Sequence, residues 1–95
     1  MSQIEYDEQK RQQTLVKHGI DFLDAAYIFG SDYLRLRGIS EAEERFIAVG
    51  AVQMITIAVV FTMRGETIRI ITARRARRNE REAYEKYLAE RGSAS

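Results

Sequence analysis

The chain has 95 residues, 45% hydrophobic and 31% charged, a globular composition long enough for one core, and its net charge of +1 gives no overall pull toward polyanions. It has no cysteine and one histidine, which excludes disulfides, thiolate chemistry and the cysteine or multi-histidine metal sites. The longest apolar run, Met54–Phe61, falls far short of the roughly 20 residues that span a bilayer, and the opening MSQIEYDEQK lacks the layout of a signal peptide, so a soluble cytoplasmic protein without membrane contact is expected.

Charge is unevenly distributed. Residues 1–48 carry six Lys/Arg against nine Asp/Glu, and residues 49–95 carry nine against five. Such asymmetry suggests one basic surface for a polyanion, with the acidic half elsewhere or facing a basic partner.

In chain order, Gln3–Tyr6 reads as a short strand with Ile4 buried. Asp7 is a good N-cap for a polar helix over about Glu8–Lys17, which Gly19 ends in the left-handed conformation. Asp21 caps a second helix, about Phe22–Phe29, whose Phe22, Ala25, Ala26 and Phe29 share one face. Gly30-Ser31-Asp32 breaks that pattern. From Tyr33 the period becomes two: Tyr33, Arg35 and Arg37 alternate with Leu34 and Leu36, and Gly38–Ala42 turns the chain. Arg45–Val52 and Gln53–Thr62 follow as strands, the second with Ile55, Ile57, Val59 and Phe61 on one face.

Met63–Glu66 is a glycine-containing hairpin turn. It leads to the stretch that organises the chain, Thr67–Arg78. Its first half alternates, Ile68, Ile70 and Thr72 one way and Thr67, Arg69 and Ile71 the other, and its second half is the basic run Arg74, Arg75, Arg77, Arg78. Arg69 is either a functional cation on an open sheet face or an outward residue of a half-solvated strand. The last helix starts at an Asn79 N-cap with Glu82 near a capping box, buries Ala83, Tyr84, Tyr87 and Leu88, and stops near Gly92. The expected fold is α+β, ordered β-α-α-β-β-β-β-α, an antiparallel sheet packed against helices on one face. Residues 1–92 form one domain and residues 93–95 a frayed tail.

Three blocks carry a family resemblance: IEYDEQK with LVKHGIDFLDAAYIF (Leu15–Phe29), EERFIAVG (Glu43–Gly50) and FTMRGETIRIITARRARRNEREAYE (Phe61–Glu85). In order and spacing the chain resembles the BrnT family, ribonuclease toxins of bacterial type II toxin–antitoxin pairs. The resemblance implies a RelE-like fold, RNA cleavage that halts translation, and a cognate BrnA-type antitoxin through which operator DNA is bound. Three departures stand out. Tyr6 replaces the usual tryptophan, Thr14 the usual asparagine, and Gly30–Ala42 is shorter than usual and lacks an acidic cluster.

Cleaving RNA without a metal or other cofactor requires deprotonation of a 2′-hydroxyl, neutralisation of the phosphate and protonation of the leaving oxygen. Arginine suits the second task, since its fork matches phosphate oxygens and never deprotonates. Arg69 and Arg74 are the leading candidates, with a salt bridge from Arg74 to Glu80 or Glu82 as the structural alternative. Tyr84 is either a stacking or proton-donating residue or a core tyrosine, and His18 either a base or a helix-end cation. Glu44 and Arg64 complete the catalytic candidates, with strand pairing and turn exposure as their alternatives. Arg75, Arg77, Arg78 and Arg81, with Arg35 and Arg37, are expected as phosphate contacts or as a solvated charge run. Two other readings are a catalytically silent module that only binds antitoxin or RNA, and a DNA-binding protein, against which the lack of a helix-turn-helix pattern counts.

Overall fold

The computed structural model describes residues 3–93, in which strands β1 (Ile4–Tyr6), β2 (Leu34–Arg37), β3 (Phe46–Val52), β4 (Ile55–Arg64) and β5 (Thr67–Arg75) form one sheet in the order β1-β5-β4-β3-β2. The expected antiparallel meander holds for β2–β5. β1 then adds beside β5 in parallel, so the sheet as a whole is mixed. The intervening helices α1 (Glu8–His18) and α2 (Phe22–Ala25) make this possible, because a parallel neighbour needs a long crossover.

Local chemistry sets both helix ends of that crossover. Asp7 accepts the backbone N–H groups of Gln9 and Lys10, and Gly19 closes α1 at φ 70° with its N–H donated to Leu15. Asp21 caps α2 through Leu23 N–H and receives a two-pronged bond from Arg11, 2.8 and 3.0 Å, which fixes the angle between the helices. Beyond Ala25 the chain tightens into a 3-10 segment, Ala26–Gly30, in place of the expected continuous α-helix. The buried residues give the reason: Phe22, Ala25 and Ile28 are each 0% exposed at a spacing of three, the pitch of the tighter helix.

These helices cover one sheet face, where Phe22, Ile28, Ala48, Ile57, Val59, Phe61, Ile68 and Ile70 form the core. Burying each large side chain there contributes about 1.5–3 kcal/mol. Phe29 meets Phe61 edge to face at 5.0 Å, and Phe61 lies 5.6 Å from Phe46. Gly50 of β3 sits directly under this layer, with Ile28 pressed against it.

The last helix, α3 (Arg78–Ser93), does not join that layer as expected. It packs across β2 and β3 on the opposite face. There Val49 and Ala58 are 0% exposed although neither belongs to the core cluster, and Tyr84 is 8% exposed. The helix also begins earlier than Asn79. Arg77 occupies the N-cap: its carbonyl accepts Arg81 N–H, and its own N–H is accepted by Glu80, three residues on. At the other end α3 runs through Gly92, with Arg91 bonded to Asp32 at 3.2 Å and to the Tyr87 hydroxyl at 2.7 Å. The expected tail therefore begins inside this helix at Ser93, and Ala94 and Ser95 lie outside the described residues. No helix among the described residues is long and apolar enough to cross a membrane.

Candidate active site

β5 contains an irregularity that decides which residues meet. Val60 pairs with Thr72 but Phe61 pairs with Ile70, so Ile71 is an extra residue, a β-bulge. Side chains alternate faces along a regular strand, so residues five apart point in opposite directions. The bulge cancels one step. Ile68 and Ile70 before it and Ala73 after it all enter the core, so Arg69, Thr72 and Arg74 share the other face. Thr72 thus lies opposite to the face expected for it beside Ile68 and Ile70.

That second face is only partly covered by α3. Its open half forms a groove of 470 Å³, lined among others by Ile47, Val60, Thr72, Arg74, Arg77 and Glu80. Arg45 also lines it, with a buried Nε that has no hydrogen-bond acceptor and lies 3.5 Å from Glu43. Sequence reasoning missed Arg45 as a site residue. Its only signal is a cation directly preceding an apolar central strand.

Arg74 is tied down at the groove's edge. Its two terminal nitrogens reach both carboxylate oxygens of Glu80, at 2.7 and 2.9 Å, the alternative foreseen for it. The bond to Arg74, aided by Arg77 N–H, holds the Glu80 carboxyl below its ordinary value against the opposing effect of burial. Arg69, further along β5, is 3.5 Å from Glu5 of β1, its register partner, and Arg64 reaches the same carboxylate at 4.0 Å. Arg45, Arg64, Arg69, Arg74 and Arg77 therefore border one surface, balanced there by Glu5 and Glu80.

The remaining candidates divide. Tyr84 is buried beneath α3 and does not line the groove. His18 ends α1, across the sheet from Arg69 and Arg74. Glu44 pairs with Arg37 at 3.0 Å, not with Arg45, and both side chains are exposed. Arg35 points to the core side of β2 and lies 3.9 Å over the Phe46 ring, a cation–π contact, whereas Arg37, at the end of that strand, lines the groove. Arg78 is paired with Glu82 at 3.0 Å, while Arg75, Arg77 and Arg81 have no ion pair within 4.0 Å among the described residues.

A five-stranded sheet with helices on one side and an arginine-bordered face on the other, part-covered by a C-terminal helix, defines a small α+β protein. Residues 6–80 match the family described as the ribonuclease toxin, BrnT, of type II toxin–antitoxin systems. The crystal structure of the Brucella abortus ribonuclease toxin, BrnT, superposes with a TM-score of 0.66 at 32% identity, covering 82% of this chain and 100% of that one. The chain belongs to the BrnT family. No curated protein matches it.

Proposed function

We propose that this chain is an endoribonuclease toxin, a single domain over residues 1–92, that cuts mRNA without a metal, inhibits translation in the bacterial cytoplasm, and is neutralised by a BrnA-type antitoxin that supplies DNA binding. The observation that carries this reading is the bulge at Ile71, which brings Arg69 and Arg74 to one open face. They stand five residues, about 15 Å, apart along the strand, with Thr72 between them. An RNA strand laid along β5 meets the Arg74 guanidinium at the groove and the Arg69 guanidinium further along the same face. One such guanidinium on the scissile phosphate supplies about 3–4 kcal/mol of transition-state stabilisation, while the other holds a phosphate elsewhere on the strand. Glu80 and Glu5 act as holders that keep the two guanidiniums aimed before RNA arrives. Arg64, Arg75, Arg77 and Arg81 add phosphate contacts that position the strand.

A second reading, a catalytically silent module that only engages RNA or antitoxin, draws on the fact that Glu80 occupies both terminal nitrogens of Arg74. Induced expression of wild type, Arg69→Ala and Arg74→Ala in a bacterium, with growth and total RNA followed together, separates the two. Growth arrest with RNA decay, relieved by Arg69→Ala in a folded variant, is the expected outcome. Normal growth and intact RNA from folded wild type would overturn the nuclease reading.

A further inference from the structure

A second pocket lies on the other flank of α3, at the end of the sheet. Its 350 Å³ are lined by Met54, Ile55, Thr56, Arg75, Ala76, Arg81 and Glu85. The strand places Arg74 and Arg75 on opposite sides, so the first faces the groove and the second faces this pocket. On α3, residues 79 and 81 diverge to either side of the buried Glu80 by the 100° helical step. Asn79 accordingly lines the groove and Arg81 the pocket, and only the short Ala76–Arg77 link separates them.

Two features of the pocket point to a ligand. Arg75 and Arg81 have no ion pair within 4.0 Å among the described residues, although Glu85 also lines the site. Two cations against one carboxylate leave it net positive. Beside them stands Met54, 100% exposed on the β3–β4 turn. Gln53 and Met54 both have positive φ, 51° and 70°, in a two-residue hairpin loop for which Asn-Gly is the low-strain pair. A soft, polarisable side chain is thus held in water at a strained position, next to two cations without an ion pair among the described residues.

We infer that this pocket is a subsite for a nucleotide flanking the cleaved bond, with Arg75 and Arg81 on its phosphate and Met54 against its base. The inference rests on the ribonuclease reading of the groove and extends it. RNA leaving the groove at Arg74 crosses the sheet's end at Ala76 and enters the pocket. The subsite therefore acts only on RNA long enough to fill both.

The test pairs the double variant Gln53→Asn/Met54→Gly with Arg81→Ala, using single-stranded RNA oligomers of about three and about ten nucleotides, each made uncleavable by 2′-methoxy groups. The double variant installs the favoured turn and unfolds at higher denaturant concentration than wild type. It nevertheless binds the long oligomer roughly threefold to tenfold more weakly and the short one unchanged. Arg81→Ala reduces the salt slope for the long oligomer by about 0.7. Equal affinities of wild type and both variants for the long oligomer overturn the subsite and leave the groove intact. No affinity of wild type for either oligomer overturns the ribonuclease reading together with the subsite. Normal RNA binding by the double variant, with loss of capture by the cognate antitoxin, assigns the turn to the protein partner and overturns the inference.

Discussion

Arg74 donates from both terminal nitrogens to the carboxylate of Glu80, which also accepts Arg77 N–H at 2.7 Å. One side chain, 4% exposed, thereby joins the end of β5 to the start of α3. The pair does two jobs. It places α3 on the second sheet face, and it fixes the guanidinium at the groove. Removing the carboxylate leaves a part-buried cation with only a long 3.4 Å bond to the Arg75 carbonyl, and a helix-start N–H that has lost its acceptor. Glu80→Ala is expected to cost about 2–4 kcal/mol, and Glu80→Gln about half as much because its amide oxygen still accepts. Urea unfolding measures both. A loss below about 0.5 kcal/mol for the alanine variant would mean that α3 is held by apolar packing alone.

The same carboxylate makes stability depend on pH. Arg74 holds Glu80 below the ordinary 4.5, and Arg11 with Leu23 N–H holds Asp21 below 3.8. Between each lowered value and the ordinary one, the unfolded chain binds more protons than the folded chain, so stability rises with pH across that window. The contribution is complete above about pH 5 and is lost as pH falls through the folded values. A urea midpoint that is flat from about pH 7 to 5 and then falls is expected, with a shallower fall in Glu80→Gln. An unchanged profile in that variant would assign the acid limb to Asp21 and the other carboxylates.

Caps and periodicity made most of this fold legible. Asp7, Gly19 and Asp21 act locally, and their bonds are those their side chains and backbone freedom dictate. The alternation of Ile57, Val59 and Phe61 likewise identified the core face. What was not legible depends on contacts between distant elements. Ile71 looks like any strand residue, and only its pairing with β4 shows that it is supernumerary. Without that, Thr72 is assigned to the wrong face and the shared face of Arg69 and Arg74 has no basis. Gln53-Met54 contains no glycine, asparagine or proline, so the turn there carries no local signal. The face covered by α3 was likewise not legible: the sequence offered an Arg74–Glu80 bridge but not the side of the sheet over which it closes.

Gly50 is expected to be intolerant of any side chain. Its backbone is ordinary, so space alone is at issue: an added Cβ meets Ile28 Cβ at 3.2 Å and Cγ2 at 3.3 Å, with Tyr33 Cβ at 3.5 Å. Ile28 is fully buried and cannot swing aside. Gly50→Ala should push the 3-10 segment off β3 and cost about 1–3 kcal/mol, read as a lower urea midpoint at constant slope. Wild-type stability in this variant would show that the segment can slide, and that the β3 contact does not fix its position.

Binding of RNA over the Arg69–Arg81 surface should weaken steeply as salt rises. Each phosphate neutralised on a single strand releases condensed cations and adds about −0.7 to the slope of log affinity against log salt. Arg69 stands on the open face beside Glu5, whereas Arg35 lies over Phe46 on the core side of the sheet. Arg69→Ala should therefore reduce the slope by about 0.7 and Arg35→Ala should leave it unchanged, although both remove one positive charge. Fluorescence anisotropy with an uncleavable RNA oligomer, titrated at four or more salt concentrations, provides both slopes. Equal reductions in the two variants would mean that overall charge, rather than the face set by the Ile71 bulge, governs the interaction. A salt-insensitive wild type would remove the phosphate backbone from the binding surface altogether.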